Sequence, residues 1–327
     1  MTASISLPKL QGHTAFVFPG QGSQKPGMLA ELAEQFSLIR HTFDESSNAL
    51  GFDVWQIAQS GEQLDQTAYT QPVLLTASIA IWRVWQELGG VSPAVLAGHS
   101  LGEYSALVAA GSLSLSDAVK LVHLRGQLMQ DAVAEGQGAM AALLGKTDDE
   151  VEALCALVAQ HSGQVVEAAN YNAAGQVVIA GTKDAVMQAI AQAKAQGAKA
   201  IVLPVSVPSH CALMQPAAEK LAEALANTCF NAPLIPVVQN VNAQIEADVD
   251  SIKTALIQQL YRPVRWTQSM QMLSSLGTEY VVECGAGNVL ANLAKRLPSI
   301  KAAYATDTRT RLEDALSAIS LAEGKLA

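Results

Sequence analysis

The stretch 94-AVLAGHSLGEYSALVAAG-111 decides how the rest of the chain is read. An apolar run ends at Gly98, a serine stands between two glycines, and a second apolar-rich segment begins at once. The run 94–98, without polar alternation, predicts a strand buried on both faces. The segment 101–110, closed by Gly111, predicts a helix. Strand, G-x-S-x-G turn and helix in that order form a nucleophile elbow. A sharp turn lifts Ser100 above the sheet edge in strained backbone. Gly98 and Gly102 let neighbouring elements approach closely. The helix aims free N–H groups at the place where an oxyanion would form. A bare pentapeptide could equally be a serine N-cap beside turn glycines; the flanking strand and helix favour a nucleophile.

Working outward, 14-TAFVF-18 reads as the first strand and 19-PGQGSQKPG-27 as the loop that leaves it. A helix is predicted from Met28 to about Phe36, and another over 73–88. Ser116 is the expected N-cap of the helix that follows Gly111. This strand–helix alternation implies an α/β fold with a mostly parallel sheet covered by helices on both faces. The pattern changes near residue 135. Strands at 139–145, 164–172, 176–181 and 199–205, with helices over 149–160 and 183–195, spell βαββαβ, a ferredoxin-like order. It reads as an insertion, residues 135–205, in a core made of 1–134 and 206–327. Alternation resumes after Pro208, with 236–241 and 279–283 as late strands.

The chain has 327 residues, half of them hydrophobic and 15% charged, enough for a large core. A net charge of −9 gives no electrostatic reason to bind nucleic acid. Cys155, Cys211, Cys229 and Cys284 form no CxxC pair, so neither a zinc site nor a redox motif is indicated, and no metal is expected. Free thiols at irregular spacing fit a reducing compartment. The start of the chain does not read as a signal peptide, and no apolar run reaches the ~18 residues of a membrane helix. A cytoplasmic protein away from membranes is expected.

A serine nucleophile needs a base. Of the six histidines, His210 is the best placed, in the Pro-punctuated loop 204-PVSVPSHCALM-214 between a strand and a helix. His99 is adjacent to Ser100, and consecutive side chains diverge in so tight a turn. His123 and His161 fall in or beside helices and read as structural. Cys211 rivals Ser100 only weakly, because it has no elbow. In 116-SDAVKLVHLRGQLMQDAV-133, Leu121, Arg125 and Leu128 share one apolar helical face. A guanidinium there stays charged and must find an anion or snorkel out. A structural pair with Asp or Glu and a fork for a substrate carboxylate are both open on this spacing.

Several segments together resemble the malonyl-CoA:acyl carrier protein transacylases: FPGQGSQ at 18–24, TQP at 70–72, GHSLGEYSAL at 98–107, RGQLMQ at 125–130, NYNAAGQVVIAG at 170–181, VSVPSHCALM at 205–214 and RPVRW at 262–266. The resemblance covers nearly the whole chain in order. It implies an α/β-hydrolase-like core with a ferredoxin-like insertion. It implies a malonyl ester on Ser100, with His210 as base and Arg125 on the malonyl carboxylate. Backbone N–H groups of Gln21 and Leu101 would form the oxyanion hole. Gln71 and Met129 would line the acyl pocket, with Asn170 and the 284–290 turn near it, and the backbone carbonyl of Arg265 would orient His210. No cofactor is implied: malonyl-CoA is substrate, and phosphopantetheine is carried by the partner. That partner is acyl carrier protein, whose acidity suggests a local basic surface including Arg262, Lys295 and Arg296. A monomer serving fatty acid synthesis is expected. The rival readings are a serine hydrolase or thioesterase, an acyltransferase of a polyketide synthase or malonate decarboxylase, and a nucleotide-binding module on 285-GAG-287.

Overall fold

The computed structural model describes residues 12–205 and 207–324. Residues 1–11, part of the stretch read above for a leader, lie outside this range, as do Ser206 of the Pro-punctuated loop and residues 325–327.

The chain begins with β1 (Thr14–Phe18) and four helices, α1 (Ala30–Gln35), α2 (Ser37–Leu50), α3 (Val54–Ser60) and α4 (Thr67–Glu87). Then come β2 (Val95–Gly98), α5 (Gly102–Ala109) and α6 (Leu115–Asp131). The next block is β3 (Gly138–Leu144), α7 (Asp148–Ser162), β4 (Val166–Ala173), β5 (Gln176–Thr182), α8 (Lys183–Ala195) and β6 (Lys199–Val202). Last are α9 (Gln215–Asn227), β7 (Val237–Val238), α10 (Val249–Gln259), α11 (Trp266–Ser275), β8 (Tyr280–Glu283), α12 (Val289–Ala294), β9 (Ala302–Ala305) and α13 (Arg309–Ala322).

Two sheets result. Strands β7-β2-β1-β8-β9 form one, and each neighbouring pair is parallel. Side chains alternate across it. Phe16, Phe18, Leu96 and Val282 enter the core shared with α2, α4, α5 and α6, while Ala15, Val17, Val95 and Val281 pack against Trp266, Met270 and Leu290 of α11 and α12. Both faces are therefore dry, which is why these strands read as unbroken apolar runs. The second sheet, β4-β5-β3-β6, is antiparallel, and its order with βαββαβ connectivity is the ferredoxin-like arrangement. Ala139, Ala141 and Leu143 of β3 face α7 and α8; Met140, between the first two, faces the other way, beside Ala169, Val178 and Cys211.

Some boundaries differ from the sequence reading. Ser114, not Ser116, caps α6: its hydroxyl accepts from the Asp117 amide at 3.0 Å and donates to the Asp117 carboxylate at 2.7 Å. An S-x-x-D spacing gives this reciprocal pair only at Ser114. β7 is two residues, not six. The short β9 went unread because its AAYA has no distinguishing pattern. Helix α4 starts six residues before the expected 73 and contains Pro72. Proline has no N–H to give Ala68, four residues back, and His123 fills the gap, its Nδ1 lying 2.7 Å from that carbonyl oxygen.

Candidate active site

Ser100 stands where β2 meets α5, with φ of 52°. A non-glycine residue in that region stores strain of about 1–3 kcal/mol, and the surroundings hold it. A Cβ on Gly98 would collide with the Gly102 backbone, and one on Gly102 with the Phe18 carbonyl. Asn240, fully buried after β7, braces the turn on both sides. Its Oδ1 accepts from the Ser100 amide at 2.6 Å and its Nδ2 donates to the Gly98 carbonyl at 2.6 Å.

His210 reaches Ser100 from the loop before α9. Its Nε2 lies 2.8 Å from Ser100 Oγ, and its Nδ1 lies 2.6 Å from the Gln259 carbonyl oxygen. A carbonyl only accepts, so the proton sits on Nδ1 and Nε2 is left free to accept from the serine. The orienting carbonyl is thus Gln259, at the end of α10, and not Arg265. The Arg265 carbonyl is occupied at the start of α11, accepting from the Ser269 amide at 2.9 Å and the Ser269 hydroxyl at 3.1 Å. The RPVRW segment serves as a tie between the sheets. Val264 exchanges backbone bonds with Ala169 and Tyr171 of β4, at 2.9 and 3.0 Å. His99 adds a second tie, with Nε2 2.8 Å from Asn172 Oδ1.

Arg125 is 1% exposed. Helix α6 can bring it in because Gly126 abuts α4, where a Cβ would meet the Ala68 backbone at 2.6 Å. Leu121 shares its burial, while Leu128 is only half-buried. Arg125 Nη1 donates to Gln71 Oε1 at 2.8 Å, and Nη2 donates to Gln259 Oε1 at 3.0 Å and to Ser100 Oγ at 3.3 Å. The Nε has no partner among the described residues. All three acceptors that hold the guanidinium, two side-chain amides and the Ser100 hydroxyl, are neutral, so the cation is oriented with no carboxylate among the described residues in contact with it.

Ser100, His210, Arg125 and Gln71 line one cleft of about 100 Å³ with Gln21, Leu101, Met129, Met140 and Asn170. Among the described residues, the Gln21 and Leu101 amides have no hydrogen-bond acceptor. Asn170 faces the cleft through a register shift in β4 between Ala168 and Asn170. The bulge sets Asn170 opposite Val178, on the cleft side of the second sheet.

Burial, and then the positive charge of Arg125, push the His210 pKa down to about 3, so the imidazole is a neutral base at physiological pH. Burial lifts the Cys211 thiol to about 12, which removes it as a rival nucleophile. The 285–287 turn is no phosphate cradle. Gly285 packs under the 19–27 loop, where a Cβ would fall 2.5 Å from Pro19 Cγ.

Three polar residues of this site escaped the sequence reading: Asn240, Gln259 and Glu103. Glu103 had a usable signal, being a lone acid in the apolar run of α5, the same signal that exposed Arg125.

An acyl transferase domain model matches residues 15–305. The malonyl CoA-acyl carrier protein transacylase of Salmonella typhimurium is 53% identical over 306 residues, covering 93% of this chain and 98% of that one. The crystal structure of FabD from Acinetobacter baumannii superposes with a TM-score of 0.94 at 64% identity, covering 96% of this chain and 99% of that one. A malonyl-transacylase solved in complex with a type II PKS acyl-carrier protein superposes with a TM-score of 0.91 at 50% identity, covering 94% and 100%. The chain belongs to the acyl transferases and, within them, to the malonyl CoA-acyl carrier protein transacylase family.

Proposed function

We propose that this chain moves the malonyl group from malonyl-CoA to the phosphopantetheine thiol of acyl carrier protein, through an ester on Ser100, and so supplies malonyl carriers for fatty acid synthesis. The observation that carries the reading is the convergence on Ser100 Oγ of His210 Nε2 at 2.8 Å and Arg125 Nη2 at 3.3 Å.

His210 takes the serine proton as Oγ attacks the thioester carbonyl. The Leu101 and Gln21 amides receive the developing oxyanion. Collapse expels CoA, which regains a proton from His210. Arg125 holds the far carboxylate, with Gln71, Met129 and Asn170 around the acyl chain. That carboxylate offsets the charge of Arg125 and so removes one of the effects that depress His210, after burial the largest; the base strengthens once the right acyl group is in place. The carrier thiol then gives its proton to His210 and attacks the ester; collapse expels Ser100 Oγ, which takes that proton back from His210. Kinetics should be ping-pong, and exchange between two thioesters should be reversible.

A serine hydrolase would share the elbow, but it has no use for a buried arginine held only by neutral groups. No cofactor enters the scheme. Acyl carrier protein would dock on a basic surface including the exposed Arg262, Lys295 and Arg296, and residues 135–205 would act as the inserted lobe over the serine. We assign a cytoplasmic monomer; no helix among the described residues is long and apolar enough to cross a membrane. Incubation with malonyl-CoA followed by intact mass tests the scheme: a malonyl adduct that a carrier thiol removes is expected, and steady release of free malonate without carrier would favour the hydrolase.

A further inference from the structure

Glu103 lies beneath the site and has no part in the scheme above. It sits in the first turn of α5, wholly buried. Its Oε2 accepts from the Asn240 backbone amide at 3.0 Å and from Gln259 Nε2 at 2.8 Å; its Oε1 has no partner among the described residues. Gln259 joins every other part of the site. Its carbonyl holds His210, its Oε1 takes Arg125, and its Nε2 also donates to the Ser100 carbonyl at 3.0 Å.

A side-chain amide has one acceptor end and one donor end. A carboxylate can only accept, so Glu103 draws the Nε2 end of Gln259 toward itself, and Oε1 must then face Arg125. The reversed amide would set NH2 against the guanidinium and oxygen against the carboxylate, two repulsions in a buried place. Glu103 also brings a negative charge near Arg125 without touching it. A direct Glu–Arg pair would occupy the cation, whereas an amide between them leaves the guanidinium available.

We propose that Glu103 is a positioning residue: acting through Gln259, it sets the orientation of the Arg125 guanidinium, and with it the selectivity of the pocket for acyl groups that end in a carboxylate. This rests on the reading of Arg125 given above. Burial raises the Glu103 pKa to about 7, so it gains its charge as pH rises through neutrality. The charged and titratable groups around it are Arg125 on α6, Tyr104 beside it on α5 and, across Ser100, His210.

The test compares single-turnover acylation by malonyl-CoA and by acetyl-CoA, followed by intact mass, in the native protein, Glu103→Gln, Gln259→Ala and the double variant. Glutamine keeps the volume but replaces a charged, accept-only group with a neutral amide whose NH2 end can also meet Gln259, so the Gln259 amide is no longer held one way round. Glu103→Gln should lower the malonyl-over-acetyl rate ratio about tenfold. In the Gln259→Ala background it should lower that ratio no further, because its route to Arg125 is gone. An unchanged ratio in Glu103→Gln, or losses that multiply in the double variant, overturns the proposal. Should Glu103→Gln fail to fold, the native protein decides. Its ratio should fall about tenfold from pH 8.5 to 5.5 as Glu103 takes a proton, while the malonyl carboxylate, with a pKa near 4, stays ionised. A flat ratio overturns the proposal. If the native protein forms no malonyl-serine at all, the underlying reading of the site fails; a native protein that malonylates while Glu103→Gln keeps its ratio defeats the role of Glu103 alone.

Discussion

His210 Nδ1 donates to the main-chain oxygen of Gln259 across 2.6 Å, so a peptide carbonyl, and not a carboxylate, orients this imidazole. A carbonyl supplies direction without a full negative charge. The base therefore stays weak and neutral, beside an arginine that lowers its pKa further.

Removing the imidazole should be costly where removing the Arg265 side chain is not. His210→Ala is expected to slow serine acylation by about 10²–10⁴-fold. Arg265→Ala should leave it near native, because the Arg265 side chain bonds to Gln268 at 3.1 Å, on the exterior, and the substitution leaves every backbone carbonyl in place. Stopped-time intact mass with malonyl-CoA reads both.

Ser100→Ala should abolish the malonyl adduct altogether. A persistent mass increase in this variant would move the nucleophile elsewhere, and peptide mapping would show where.

Arg125→Ala should reduce malonyl transfer at least about tenfold more than acetyl transfer, since only the former needs a charged grip. Equal losses for the two acyl groups would make Arg125 a structural residue.

Acetyl transfer should be flat between pH 5 and 8. An ordinary histidine loses its proton near 6.5 and would give a rising limb there; His210, lowered to about 3, is already neutral throughout. A limb centred near 6.5 would mean that water reaches the imidazole.

Gly102→Ala should destabilise the protein by about 1–3 kcal/mol, because a methyl group there meets the Phe18 carbonyl and the strand and helix cannot both stay in place. Thermal melts measure the loss, and acylation should fall with it.

Much of this architecture could be read from local pattern. The parallel sheet followed from apolar runs at 14–18 and 94–98, and the second sheet from a change of rhythm at 135. Helix α8 fell on its expected residues because the 183–195 segment has an amphipathic repeat. Ser100 was legible because an elbow is contiguous in sequence. Arg125 was visible because a charge on an apolar face is conspicuous, although its role stayed open until family resemblance spoke to it. Resemblance also misled at one point. It named the carbonyl of Arg265, while the imidazole turned to Gln259, six residues earlier. Every residue has a carbonyl, so sequence holds no mark of which one a side chain will meet.

By itself, then, the order of residues determined the central strands, the strained serine turn and the presence of a buried cation, because each depends on neighbours one to four positions away. Tertiary structure alone decided the company that Ser100 keeps. Asn240 braces its turn, Gln259 directs both imidazole and guanidinium, and Glu103 directs Gln259, over separations of up to 159 residues. Such contacts form when distant segments share one small volume, and no local rhythm encodes which polar groups will meet there.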